Sequence, residues 1–406
     1  MNKSSFCSLP WIHLATHPHG GVSLCCESDH STPDNMARDF SETEPDYKKL
    51  HKHSIDEVMN SDYFKSVRLQ MLKGDIPKAC KGCFDKEAAG VESKRVYENK
   101  RYNYTYEKAL KETTEDGSID LSLEFVELRL GNLCNLKCRT CNPESSTKWT
   151  SDYKKIQEEV PFVRRFTGNE IYSWPENQNF WDELEKHGDS LKTLYINGGE
   201  PTLIKEHWSL LEKLIESGSA SQIHLDYSIN MTQIPDKAFL LWDNFKTVEI
   251  RASIDDLEDR NHYIRNPTKW NHVLNCLQQI KEHPKTNIII LQTIGAMNFF
   301  YLDDFYKWAH SQGLHISYNF VFTPDFLGPM AIPSPTRKLI LKKLSKTLPK
   351  HYMQTLNNLF DTDEDPQLWE KFINYTKVLD RIRKEDFSKT FPEFVQFCKE
   401  NHTPFS

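Results

Sequence analysis

The feature that most constrains this chain is a short apolar run that ends in a cysteine loop. Phe125 to Leu130 reads as a β-strand, Gly131-Asn132 breaks it, and Cys134, Cys138 and Cys141 follow at C-x3-C-x2-C. Three thiolates this close in one loop can hold three corners of an iron–sulfur cubane. The fourth iron then has no protein ligand, and it can bind a small molecule and pass it an electron. Zinc is the alternative partner for clustered thiolates. Zinc loops usually show paired C-x2-C knuckles, however, and this loop has no local fourth ligand.

The whole chain sets the frame for that loop. Its 406 residues suggest two or three domains, and 38% hydrophobic residues suffice for a substantial core. No apolar run reaches membrane-spanning length. The start, Met1 to Cys7, has no apolar signal region, which gives a cytoplasmic expectation. A net charge of −7 gives no global pull towards nucleic acid. Ten cysteines without a secretion signal favour metal or catalytic use over disulfides. Eight of the ten fall at or before Cys141, which scattered core cysteines do not explain.

From about Ser118 to Pro324 the pattern alternates between strands and helices. Strand candidates are Glu124–Leu130, Thr193–Asn197, Gln222–Ile229, Thr247–Ile254, Asn287–Gln292 and His315–Val321, with helical patterns such as Glu206–Ser217, Lys269–His283 and Leu302–Gly313 between them. Such alternation implies an α/β fold with a parallel sheet, curled by right-handed crossovers into a partial (β/α)6 barrel. Chemistry in barrels sits at the carboxyl ends of the strands, which is where the cysteine loop falls. Phe162 to Trp181 reads as an insertion in the first crossover.

Other strand ends carry polar groups suited to a charged ligand. Gly198-Gly199-Glu200-Pro201 frees backbone for close approach, and Glu200 can accept from an ammonium group. Ser253 and Asp255 alternate onto one strand face, where a hydroxyl and a carboxylate suit ribose hydroxyls. Arg265 follows on the next helix and can pair with a carboxylate, either a ligand's or that of Asp255 or Asp256. Asn230 closes the third strand.

The amino-terminal region, about 1–115, holds five more cysteines. Cys7 to Ala15 reads as a strand entered through a turn, His19-Gly20-Gly21 as a hairpin turn and Val22 to Cys26 as the return strand. Alternation puts Cys25 and Cys26 on opposite faces, so one of the two is a ligand, with Cys26 the alternative to Cys25. Cys80-Lys81-Gly82-Cys83 is a knuckle. A hairpin pair and a knuckle together make a four-thiolate site, for an iron–sulfur cluster or for zinc. Glu87 to Arg95 continues as a charged helix that runs to about Lys111.

The C-x3-C-x2-C loop, Gly-Gly-Glu-Pro at the second strand end, Ser253 and Arg265 together resemble the radical SAM superfamily. The resemblance covers the region 118–324. It implies that Cys134, Cys138 and Cys141 hold a [4Fe-4S] cluster. Its open iron binds S-adenosylmethionine and splits it reductively to a 5′-deoxyadenosyl radical that takes hydrogen from a substrate. It further implies that Gly198, Gly199 and Glu200 meet the methionine amino group and that Ser253 and Arg265 meet its carboxylate. Asn230 matches the usual Thr-Asn-Gly turn in part, without its glycine. Thr140 stands where many relatives carry an aromatic residue.

Cys7, Cys25, Cys80 and Cys83, with Trp11, Gly21 and Ser54 to Arg68, resemble a twitch or SPASM-type auxiliary-cluster domain. In this chain the module precedes the barrel, whereas in many relatives it follows. It implies a second, fully ligated [4Fe-4S] cluster. Glu87, Gly90, Ser93 and Arg95 match an E-x2-G-x2-S-x-R segment often found after that cluster.

The expected order is thus an auxiliary domain and linker helix at 1–115, a radical core at 118–324 and a helical extension at 325–406. Expected partners are a small-molecule or peptide substrate and an electron donor of the flavodoxin or ferredoxin type. The competing reading is a zinc-stabilised module that binds nucleic acid or protein on a degenerate barrel. The tail reads as helices from Thr336 to Leu348, Glu364 to Ile382 and Phe391 to Asn401. Cys276 and Cys398 read as core residues.

Overall fold

The computed structural model describes residues 5–28, 33–41, 44–88, 90–166, 171–361, 366–403 and 405. Residues 167–170 of the expected insertion, Ala89 of the linker helix and Glu364 at the start of a tail helix lie outside the described residues.

The amino-terminal region begins with α1 (Leu9–Ile12), β1 (His13–Thr16) and β2 (Val22–Ser23). The strand expected from Cys7 is shorter than its sequence suggests. Pro10 lies in the first turn of α1, where its fixed φ and missing N–H suit a helix start, and extended backbone begins only at His13. β1 and β2 pair antiparallel through Ala15↔Ser23 and Thr16↔Val22. A two-stranded ribbon follows, β3 (Arg38–Asp39) with β4 (Asp46–Tyr47). Then come α2 (Ile55–Met59) and α3 (Asp62–Lys73). Ser54 and Glu57 close a capping box on α2, while the Ile55 N–H donates to the distant Glu183 at 2.7 Å. The charged helix expected to reach Lys111 is three pieces, α4 (Lys81–Ala88), α5 (Lys94–Tyr102) and α6 (Tyr106–Glu112). Gly90 at φ 75° and Asn103 at φ 49° take left-handed backbone, which a continuous α-helix excludes.

The alternating region follows its pattern closely. It runs β5 (Phe125–Leu130), α7 (Thr150–Glu159), α8 (Gln178–Glu185), β6 (Thr193–Gly198), α9 (Lys205–Glu216), β7 (His224–Ile229), α10 (Asp236–Trp242), β8 (Thr247–Ser253), α11 (Glu258–Ile264), α12 (Trp270–Glu282), β9 (Thr286–Ile294), α13 (Leu302–Ser311) and β10 (His315–Phe320). The tail adds α14 (Ser334–Leu344), α15 (Lys350–Phe360), α16 (Pro366–Arg383), α17 (Phe387–Thr390) and α18 (Pro392–Glu400). The sequence reading had no counterpart for α15.

The protein is α/β. Eight strands form one sheet in the order β10-β9-β8-β7-β6-β5-β1-β2. β5 pairs parallel with β6, β6 with β7, and β10 with β9. β1 also pairs parallel with β5, through His13↔Phe125, Leu14↔Val126 and Ala15↔Glu127. The amino-terminal hairpin thereby extends the sheet beyond the six strands of the alternating pattern.

The chain divides into two compact units, 1–133 with 171–227 and 236–248, and 134–170 with 228–235 and 249–406. The first has a core that includes Trp11, Leu14, Phe64, Trp181 and Trp242. The second is built around the tail helices, with Phe299, Ile332, Leu356, Phe372 and Phe391 fully buried. Among the described residues no helix is long and apolar enough to cross a membrane.

Candidate functional site

The cysteine loop belongs to the second unit. Cys134 and Cys138 are buried, Cys141 is partly so, and all three pack with Leu136. Local backbone sets their spacing: Cys141 N–H donates to the Cys138 carbonyl at 2.9 Å, and Leu136 N–H to Cys134 Sγ at 3.4 Å. A hydrogen bond between the Cys138 and Cys141 thiols, with help from Arg265 against burial, brings the Cys138 pKa down to about 7. The same bond and burial push Cys141 up.

Arg265 stands beside both thiols. Burial opposes its charge, but Cys138 and Asp255 outweigh it and raise the pKa. Its Nη1 reaches Asp255 Oδ2 at 3.0 Å. Asp255 is fully buried and accepts the Thr293 N–H at 2.8 Å, while Asn298 Nδ2 donates to its carbonyl at 2.7 Å. The alternative partner foreseen for Arg265, an internal carboxylate, is therefore the one seen. The Nε of Arg265 has no hydrogen bond. Ser253 ends β8 two residues before Asp255, and its hydroxyl forms no hydrogen bond among the described residues.

Three further anchors fix the loop. Asn230 Nδ2 donates to Asn135 Oδ1 at 2.6 Å, and Asn135 Nδ2 donates to Thr232 Oγ1 at 2.9 Å. Met231, where a glycine was missing from the pattern, takes φ 61° itself and is buried. The amides of Lys137 and Arg139 donate to the carbonyls of Asn266 and Ile264, at 2.6 and 2.7 Å. Arg139, between the second and third cysteines, is fully buried. Its Nη2 meets Asp380 and Glu385, each at 2.5 Å, and the guanidinium lies 3.5 Å from the Tyr263 ring centre. Sequence reasoning missed this residue. The available signal was a basic residue inside the cysteine motif, but its partners lie 241 and 246 residues away.

The glycine motif belongs to the first unit. Gly199 N–H donates to the Gly131 carbonyl at 3.2 Å and Glu200 N–H to the Leu133 carbonyl at 2.8 Å. A Cβ on Gly199 would lie 2.3 Å from the Leu133 oxygen, so only glycine fits against the turn that leads into Cys134. Glu200 is buried, and its carboxylate accepts Thr202 N–H and Oγ1 at 3.2 and 2.6 Å. Here the expected ammonium acceptor caps its own turn.

The other four cysteines also lie in the first unit. Cys7, Cys25, Cys80 and Cys83 line one small cavity together with Arg95. Cys26 is exposed and does not line it. Burial pushes the Cys7 and Cys25 thiols up, and Cys80 up to about 12. Three buried thiols and the half-buried Cys80 around one space, none in a disulfide, fit a cationic group that would hold them as thiolates. Among the described residues no three His, Cys, Asp or Glu side chains converge tightly enough for a single metal ion.

A cavity of about 440 Å³ opens beside the three-cysteine loop, within the second unit. Thr140, Cys141 and Asn142 form its floor, and Phe162, Phe326 and Tyr375 are among its aromatic walls. Lys371 of α16 also lines it and has no hydrogen bond or ion pair among the described residues.

Residues 128–308 match the family model of the radical SAM superfamily, and residues 7–84 match that of an iron–sulfur cluster-binding domain, SPASM. None of the curated proteins matches the chain. Among solved structures it is similar to "Native anSMEcpe with bound AdoMet and Cp18Cys peptide", at 15% identity and a TM-score of 0.36, over 68% of this chain and 60% of that one. It is also similar to Streptococcus suis SuiB bound to S-adenosylmethionine, at 13% identity and a TM-score of 0.38, over 86% of this chain and 74% of that one. The match thus spans less than two thirds of the first structure's length. The two family matches set aside the binding-module reading: residues 128–308 are a radical SAM domain, and a SPASM-type iron–sulfur cluster-binding domain precedes it over residues 7–84.

Proposed function

We propose that Cys134, Cys138 and Cys141 hold the [4Fe-4S] cluster of this enzyme and that Cys7, Cys25, Cys80 and Cys83 hold an auxiliary one. Gly198, Gly199, Glu200, Asn230, Ser253, Asp255 and Arg265 carry the contacts to S-adenosylmethionine. When bound, these groups supply a 5′-deoxyadenosyl radical for hydrogen abstraction. The chain's own residues do the rest. Arg265 places a buried cation beside two thiolates and keeps a free Nε–H, and Asp255 fixes its orientation. Aromatic side chains of the 440 Å³ cavity give a substrate an apolar wall next to Cys141.

The reaction we infer is net oxidation or modification of a small-molecule, peptide or carbohydrate-type substrate in the cytoplasm. A flavodoxin or ferredoxin-type protein would supply electrons. A second, fully ligated cluster suits an oxidation, in which an electron leaves the substrate after hydrogen. The observation that carries the reading is three thiols gathered in one loop, two of them beside the buried Arg265, with Cys141 in the lining of a substrate-sized cavity.

The test is release of 5′-deoxyadenosine from S-adenosylmethionine by anaerobically reconstituted protein, with iron and sulfide counted per chain. Release that depends on the three cysteines, with about eight irons, supports the reading. Iron-loaded protein that cleaves nothing under strong reductant overturns it.

A further inference from the structure

The segment Glu87-x2-Gly90-x2-Ser93-x-Arg95 directly follows the knuckle cysteines, and the structure gives it a task. Glu87 lies on α4, the helix that carries Cys83. Its carboxylate accepts Ser93 Oγ at 2.5 Å and Arg95 Nε at 3.0 Å, and Arg95 Nη2 also binds it. Ser93 caps α5 by accepting Val96 N–H at 3.2 Å. Arg95 Nη1 crosses to the Phe6 carbonyl at 2.9 Å. Asn99, one turn on, donates to that carbonyl at 3.0 Å and accepts Ser8 N–H at 2.8 Å. Both neighbours of Cys7 are thus tied to α5, and the motif locks the first cysteine against the helix of the last.

The same arrangement fixes two adjacent cations around the four thiols. Arg95 lines their cavity and acts on Cys7 and Cys80. Lys94 is largely buried, hydrogen-bonds Cys26 and acts on Cys25. Glu87 holds Arg95, and Glu98 lies 3.4 Å from Lys94. Glu127 also acts on Lys94 and Cys26. The cavity lining also includes Glu27, whose carboxylate meets Lys86 at 2.6 Å.

We propose that Lys94 and Arg95 are positioning residues that set the reduction potential of the auxiliary cluster, Arg95 from the Cys7 and Cys80 side and Lys94 from the Cys25 side. This rests on the reading that these four cysteines hold a [4Fe-4S] cluster. Such a cluster with four thiolates becomes more negative on reduction, so a fixed cation in a low-dielectric wall stabilises the reduced form more. The two cations make the cluster a better electron acceptor, as a net oxidation requires.

The experiment is a redox titration followed by electron paramagnetic resonance. It uses the full chain in a Cys134/Cys138/Cys141→Ala background, where only the auxiliary cluster contributes. Lys94→Met should shift the midpoint to more negative potential with about four irons retained. Lys94→Arg should restore the parental midpoint. Arg95→Lys keeps charge but not the fork to Glu87 and Phe6, and it should give a smaller negative shift. An unchanged midpoint in Lys94→Met at full iron content overturns the proposal. So does loss of iron from both Lys94→Met and Lys94→Gln, which would make the residue a scaffold. Absence of iron from the parental background removes the underlying cluster reading instead, and the proposal falls with it.

Discussion

Each cysteine region has a fully buried arginine at its back, and the two arginines are satisfied in opposite ways. Arg68 of α3 gives its guanidinium to the carbonyls of Pro10, Met59 and Gly117 and to Asn60 Oδ1, at 2.7 to 3.2 Å. No carboxylate hydrogen-bonds it among the described residues, and burial pushes its pKa down. Arg139 meets two carboxylates, and although burial opposes its charge, Tyr263, Asp380 and Glu385 raise its pKa. Arg68 stitches backbone within the first 117 residues, close to Cys7. Arg139 ties the three-cysteine loop to the far end of the chain. The four-cysteine cage therefore depends on local chain, whereas the three-cysteine loop depends on the tail.

The contrast breaks most sharply at the cysteines. A Cys134/Cys138/Cys141→Ala variant should lose all cleavage of S-adenosylmethionine, with iron falling from about eight to about four per chain. Loss of all iron from that variant would mean that the two sites do not load independently. Arg139→Met comes next. It leaves Asp380 and Glu385 without their cation, and the expected loss is about 3–5 kcal/mol of stability in urea unfolding. Adding Asp380→Asn and Glu385→Gln should recover part of it, and a loss below about 1 kcal/mol would show that the tail does not hold the loop.

Arg68→Met should cost less, about 2–3 kcal/mol, because it orphans neutral carbonyls and not charges. The diagnostic is selectivity: reconstituted iron should fall at the auxiliary site while cleavage of S-adenosylmethionine persists. The smallest effect is expected from Asn230→Ala. Losing its bonds to Asn135 and Thr232 should cost about 1 kcal/mol and weaken S-adenosylmethionine binding, measured by calorimetry. Unchanged affinity would make Asn230 a purely structural tie.

Much of this was legible in the residues. The six strands of the core fall within a few residues of their apolar runs, because each run is short, β-type and bounded by turn residues. Knuckle spacing singled out Cys80 and Cys83, hairpin alternation left Cys25 and Cys26 as alternatives, and the family resemblance chose Cys7 and Cys25; these four do line one cavity. The misplaced pieces were local conformations set by single residues. Pro10 makes a helical turn at the head of the first strand, and Gly90 and Asn103 cut one expected helix into three.

The sequence by itself determined the chemistry: three thiols in eight residues, a double glycine after a strand, and a second set of four cysteines. The first two are short-range patterns whose members covalent spacing alone keeps near one another, whereas the four cysteines are spread from residue 7 to residue 83 and the fold gathers them. Only the tertiary structure decided what surrounds that chemistry. It paired Arg265 with Asp255, turned Glu200 onto Thr202, brought Asp380 and Glu385 to Arg139 and set Lys94 and Arg95 beside the cage. The longest of these contacts join side chains up to 246 residues apart. Burial makes each an obligatory pairing, because a charge removed from water must find a partner, and no local pattern in the chain records which partner that is.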